Sequence, residues 1–216
     1  VVRPLFRENS NALRSGSVVI ACFAASTLLT GCLNLKGIIK PNNTDADVLR
    51  VKAAKLTRLE NKIHEFGTKE HKIKMMPLPH FMFSQVDAPF GKVFSFTGPR
   101  RKDGRSPVVA INILVKKEGD PDLKPWAMME LLLKPFVGNC LDYLSETKEP
   151  FTAKGRTYHA TEFTGNYGGF YQIKGLAYVT PIEGGYVTLL VQDKASLFSE
   201  TVAEFKQWFE TFQIEY

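Results

Sequence analysis

Apolar positions along the chain change their period from stretch to stretch, and each period predicts a different element. From Val18 to Leu29 they form the uncharged run VVIACFAASTLL. Between Asp45 and Phe66, Val48, Val51, Leu56, Leu59 and Ile63 recur among charges at helical spacing, which reads as a lead-in helix or a mobile segment. From His71 the pattern sharpens. HKIKMMPLPHFMF holds a short apolar strand that Pro77 and Pro79 confine to an edge or break, because proline donates nothing to a ladder. Gly91 to Thr97 and Pro107 to Lys117 alternate or are β-branched, and GPRRKDGR between them supplies turn chemistry, so they predict a hairpin with a basic tip.

Trp126 to Leu144 then places Met129, Leu132, Leu133, Phe136, Val137, Cys140, Leu141 and Leu144 three and four apart, a broad helix face meant for a sheet. Pro135 inside it costs about 3 kcal/mol or forces a kink, so two shorter helices fit the same pattern. After the Lys154-Gly155 turn come three extended segments, Thr157 to Phe163, Phe170 to Thr180 and Gly185 to Asp193. Short glycine-bearing connectors predict that they are antiparallel neighbours. A closing helix over about Leu197 to Phe212 puts Phe198, Val202, Phe205, Phe209 and Phe212 on one stripe. The expected class is α+β, an antiparallel β-sheet flanked by amphipathic helices as an αβα sandwich.

The Val18–Leu29 run spans about 18 Å as a helix, short of a ~30 Å hydrocarbon core, and Arg3, Arg7 and Arg14 precede it. It reads as the apolar region of an export signal and not as a membrane span. Leu29-Thr30-Gly31-Cys32 follows at the right distance and resembles the bacterial lipobox. Small Thr30 and Gly31 admit a peptidase, and the Cys32 thiol is the nucleophile that accepts diacylglycerol before cleavage. Two or three acyl chains then anchor stably where one is marginal, each buried methylene contributing ~0.8 kcal/mol. The expected organisation is residues 1–31 as signal peptide, 32–69 as lipidated cysteine, tether and lead-in helix, and 70–216 as the α+β domain. Resemblance to Gram-negative lipoproteins implies that Leu33 and Asn34, with no Asp after Cys32, permit sorting to the periplasmic side of the outer membrane.

Charge changes this picture little. Loss of Arg3, Arg7, Glu8 and Arg14 with the signal takes the formal +6 to about +4 on a mixed-sign surface. The densest basic cluster, Arg100, Arg101, Lys102 and Arg105, is too small for the stripe that nucleic-acid binding needs, so no nucleic acid is expected. Of Cys22, Cys32 and Cys140, only Cys140 remains as a free thiol after processing. Neither a disulfide, a metal site nor a cofactor is expected.

Met76-Pro77-Leu78-Pro79 at entry, the turn Lys154-Gly155-Arg156-Thr157, the strand run GGFYQIKGLAYVTPIEGGYVTLLVQD and the Phe205-Trp208-Phe209-Phe212 close come in an order that resembles the PsbP-like fold. That fold is shared by the extrinsic lumenal subunit of photosystem II and a nuclear-import factor that binds Ran. The pattern is most similar to the small PsbP-like lipoproteins of bacterial envelopes. It covers about residues 70 to 215 and implies a binding or assembly factor rather than an enzyme, with no family site residue to carry over.

The residues themselves offer thin chemistry. His159 with Glu162 nearby is the centre of a hydrolase reading, but a lone strand histidine is ordinarily a packed or solvated side chain. His64, His71 and His80 carry no metal-ligand spacing, and Gly165, Gly168 and Gly169 form a turn and not a phosphate loop. The sixteen Phe, seven Tyr and two Trp could enclose a small apolar ligand, a carrier reading. Tyr167, Phe170, Tyr171, Tyr178 and Tyr186 gather around the glycine-bearing hairpin and are the candidate partner surface. The expectation is a lipid-anchored, non-enzymatic envelope protein with an envelope protein as partner.

Overall fold

Long runs of β-branched and aromatic residues, joined by connectors of two or three residues, leave the second half of the chain little choice but an antiparallel meander. The computed structural model describes residues 56–88, 91–101, 106–116, 122–167 and 171–215. Along them run β1 (Thr57–Arg58), β2 (His64–Gly67), β3 (Lys72–Met75), β4 (Met82–Ala88), β5 (Gly91–Thr97), β6 (Val108–Val115), helix α1 (Pro125–Asn139), β7 (Cys140–Ala153), β8 (Arg156–Tyr167), β9 (Tyr171–Ile182) and β10 (Gly185–Lys194). A single 3-10 turn, Ala195–Leu197, then leads into α2 (Phe198–Phe209), and β11 (Gln213–Glu215) follows.

Eight strands form one sheet in the order β1-β4-β5-β6-β10-β9-β8-β7, and β11-β3-β2 form a small second sheet. The pairings in both are antiparallel. Strand alternation divides the core in two. Val109, Ile111, Ile113, Tyr178, Leu189 and Val191 pack with Phe198, Phe205 and Trp208 of α2, together with Ile73 and Met75 of the small sheet. Their neighbours Ala110, Phe163, Ala177, Val179 and Leu190 pack with Met128, Met129, Leu132, Leu133 and Phe136 of α1. The aromatic side chains pack ring against ring, as in Phe83–Phe96 at 5.3 Å and Phe205–Trp208 at 5.4 Å between centroids.

Three expectations are corrected. The helix expected over Trp126 to Leu144 ends at Asn139: Cys140 is already extended at φ −108°, ψ 132°, and its N–H bonds back to Phe136 O. The helix runs through Pro135, whose carbonyl accepts from Asn139 Nδ2 at 2.6 Å. Beyond it, residues 140–153 form β7, because pairing along β8 outweighs a helical spacing that the polar SETKEPFT continuation does not sustain. Second, the lead-in helix lies outside the described residues up to 55, and from Leu56 the chain is extended in β1 and β2, so the folded part takes in residues before 70. Third, β3 is the central strand of the small sheet and not an edge; of the two alternatives for Pro77 and Pro79 the break holds, since β3 ends at Met75 and β4 begins only at Met82.

Candidate docking surface

The end of the large sheet where β7 begins, β8 ends and β9 begins carries the least expected arrangement in the molecule. Here two residues of β7, Asp142 and Tyr143, oppose one of β8, Gly165. Leu141 pairs with Asn166 and Leu144 with Thr164, a β-bulge that adds one residue on the β7 side. Without it, residues three apart would point to opposite faces; with it, Leu141 and Leu144 point the same way. Asp142, inside the bulge, sits at φ 52° and accepts a hydrogen bond from Asn166 Nδ2 at 3.1 Å, which fixes the distortion. The consequence is two leucines 63% and 70% exposed, side by side on the α2 face of the sheet.

Polar groups rim them. Thr164 and Asn166 are their cross-strand partners, with Lys174 and Gln172 one strand further on. Lys174 Nζ pairs with Glu162 at 2.9 Å and lies 5.7 Å from the centre of the Phe198 ring. An apolar centre inside a polar rim is the usual anatomy of a protein-binding patch. On the opposite face, Tyr167 and Tyr171 form a cross-strand pair with ring centroids 5.8 Å apart, partly buried against the α1 core.

Cys140, Tyr143 and Tyr167 at this end stay protonated at neutral pH. Burial pushes the Cys140 thiol up to about 11 and the Tyr143 hydroxyl up to about 12. Burial likewise raises Tyr167, with Cys140 adding to it. Cys140 and Gly165 approach closely, since a Cβ at Gly165 would lie 2.6 Å from the Cys140 Cβ. A thiol held this far from its thiolate is a packing group, not a nucleophile.

Of the five aromatic residues expected to form a partner surface, the structure brings together Tyr167 and Tyr171 only. Phe170 lies outside the described residues. Tyr178, 8% exposed, stacks on Phe205 and Phe209 beneath α2. Tyr186, 7% exposed, belongs to the other core and donates its hydroxyl to the Leu123 carbonyl. Their residue parity puts them on opposite faces, so a shared surface with the hairpin does not form. The leucines were missed because both fit the apolar stripe of a longer helix. A signal was present in Asn139 and Asp142, neither of which suits a helix interior.

His159 and Glu162 also separate. His159 shares its face with Thr161 and Phe163, toward α1, whereas Glu162 points to the α2 face and pairs with Lys174. Among the described residues no group of three or more His, Cys, Asp or Glu is placed to hold a metal ion, and no helix is long and apolar enough to cross a membrane. Leu29, Thr30, Gly31 and Cys32 lie outside the described residues.

No family model matches the chain, and no curated protein matches it. Among solved structures it is similar to the cyanobacterial PsbP, CyanoP, from Synechocystis sp. PCC 6803, at 14% identity and a TM-score of 0.45, over 72% of this chain and 94% of that one. It is also similar to LpqN of Mycobacterium tuberculosis, described as involved in cell envelope biogenesis, at 13% identity and a TM-score of 0.48, over 72% of this chain and 93% of that one.

Proposed function

We propose that this chain is a lipoprotein of the bacterial envelope, anchored through Cys32, that works by binding an envelope protein and carries no catalytic centre. The export run and the Leu29-Thr30-Gly31-Cys32 motif support the anchor. The observation that carries the binding role is the exposed Leu141–Leu144 pair, which the bulge turns outward where a plain ladder would separate the two. Burial of both side chains against a partner supplies about 3 kcal/mol or more, enough to make them the centre of an interface rimmed by Thr164, Asn166, Gln172 and Lys174. A hydrolase centred on His159 is not favoured, because its nearest sequence carboxylate, Glu162, faces the other side of the sheet and is engaged by Lys174.

Two experiments test the two halves. Intact-mass analysis of protein from native membranes beside Cys32→Ser is expected to show acyl mass on a chain beginning at residue 32, and none on the variant. A chain that keeps residues 1–31 and gains no lipid overturns the anchor. For the surface, a photo-cross-linking residue at position 144 is expected to give one discrete product in native envelopes that Leu141→Glu removes, whereas the same residue at position 183 gives none. Equal labelling from both positions overturns the docking role.

A further inference from the structure

The α1 face of the large sheet carries an unusual group of polar side chains on the half away from α1. Helix α1 packs mainly on β7, β8 and β9. Across the sheet, on β4, β5, β6 and β10, the same face holds Ser84, Ser95, Asn112 and Thr188, each buried to 2% exposure or less. Ser84 and Ser95 are direct cross-strand partners, and Asn112 lies between Val93 and Thr188 in the next row. Asn112 Nδ2 donates to Thr188 Oγ1 at 2.7 Å, which leaves Asn112 Oδ1 aimed elsewhere. Ser84 Oγ, Ser95 Oγ and Asn112 Oδ1 are all buried without a hydrogen-bond partner.

One orphan of this kind is tolerable, but three on adjacent strands of one face are a concentrated cost, since each unmade bond carries a desolvation penalty. Their immediate neighbours on that face among the described residues, Val93, Val108 and Ala110, are apolar and buried. From strand spacing and rise, the Cα atoms of Ser84 and Asn112 are about 12 Å apart, too far for one water to bridge. Ser84 and Ser95, and Ser95 and Asn112, are each within reach of one small bridging group.

We propose that these three residues line an internal binding site for neutral hydroxyl groups. The site takes two at once, one between Ser84 and Ser95 and one between Ser95 and Asn112. Asn112 Oδ1 requires a donor and the serines accept or donate, so the occupant is uncharged and does both. Ordered water and a small polyol share that chemistry.

The test is a high-resolution crystal structure of the purified full chain, grown without polyol and again with glycerol as the probe, beside thermal melts of Ser84→Ala and Ser95→Ala. Neither serine hydroxyl has a protein partner, so the sign of the melting shift separates the outcomes. An occupied site predicts density bridging the three atoms and a fall in Tm of about 2–4 °C for each variant, corresponding to one lost hydrogen bond. Two separate solvent peaks in both crystals assign the site to water; their replacement by one glycerol assigns it to a polyol. Absence of bridging density, or a Tm that stays level or rises in the alanine variants, overturns the proposal.

Discussion

At the scale of single residues, the molecule depends on a few positions where one atom more or less decides the packing. Gly175 lies opposite Phe163 in the ladder, and a Cβ there would collide with the Phe163 ring, which itself packs on Phe136 at 4.7 Å. Gly175→Ala is therefore expected to cost about 1–3 kcal/mol, read from a chemical denaturation curve. Leu141→Glu is the contrasting case: at an exposed position it should leave the same curve within about 0.5 kcal/mol of the parent while removing the cross-link from position 144. Cys140 supplies a third test. Its thiol, pushed up to about 11 by burial, should react with iodoacetamide at pH 8 roughly two hundredfold more slowly than an ordinary cysteine and accelerate about tenfold per pH unit up to pH 10. Rapid alkylation at pH 8 would show that the α1–β7 junction opens.

Among the elements, α2 is held at its C-terminal end by a side chain from another part of the fold. Lys154, at φ 52° in the β7–β8 turn, donates its ammonium to Phe209 O at 3.0 Å, to Phe212 O at 2.8 Å and to Glu210 O. The charge also meets the negative end of the helix dipole. Lys154→Met should remove about 1–2 kcal/mol of stability, and added salt should recover little of the loss if direct hydrogen bonds dominate. A second tie runs from Arg101, at the base of the basic hairpin tip, to buried Asp193 at 2.5 Å, with Thr201 of α2 donating to the same carboxylate oxygen at 2.7 Å. These ties explain which elements were legible. β5, β6, β8, β9 and β10 carry their own pattern, because each is buried on at least one face and its turns are glycine-bearing. The Lys154-Gly155 turn was equally plain. β7 was not, since its first five residues satisfy a helical period and the next ones are mostly exposed and polar, so that pairing with β8 and the packing of Phe151 on Tyr158 make them a strand. β3 was legible in HKIKMMPLPHFMF, but β11 had no local signal of its own: three residues at Gln213–Glu215 gain strand geometry only from Lys72–Lys74 beside them. The tyrosine surface failed for a related reason, as a sequence cluster does not reveal which face each ring takes.

For the whole molecule, the two cores share a dependence on neutral tyrosine. Burial pushes Tyr143, Tyr158 and Tyr178 up to about 12 from an ordinary value near 10. A group that ionises less readily when folded contributes stability that is complete below its unfolded pKa and is lost as pH rises through the folded one. Stability should thus hold to about pH 10 and fall between about pH 10 and 12, with tyrosinate absorbance and loss of folded structure rising together. Tyrosinate appearing near pH 10 without unfolding would contradict the packing. The open edge of the sheet has a different consequence. β7 is a fourteen-residue edge with ten exposed residues, yet its backbone is broken by bulges between Leu141 and Leu144 and between Lys148 and Phe151, with Pro150 in the second. An uninterrupted edge of that length would template strand after strand from neighbouring copies. Interrupted in this way, it offers side chains to a partner without offering a continuous backbone. Many copies at high local density then stay separate instead of growing into a fibril.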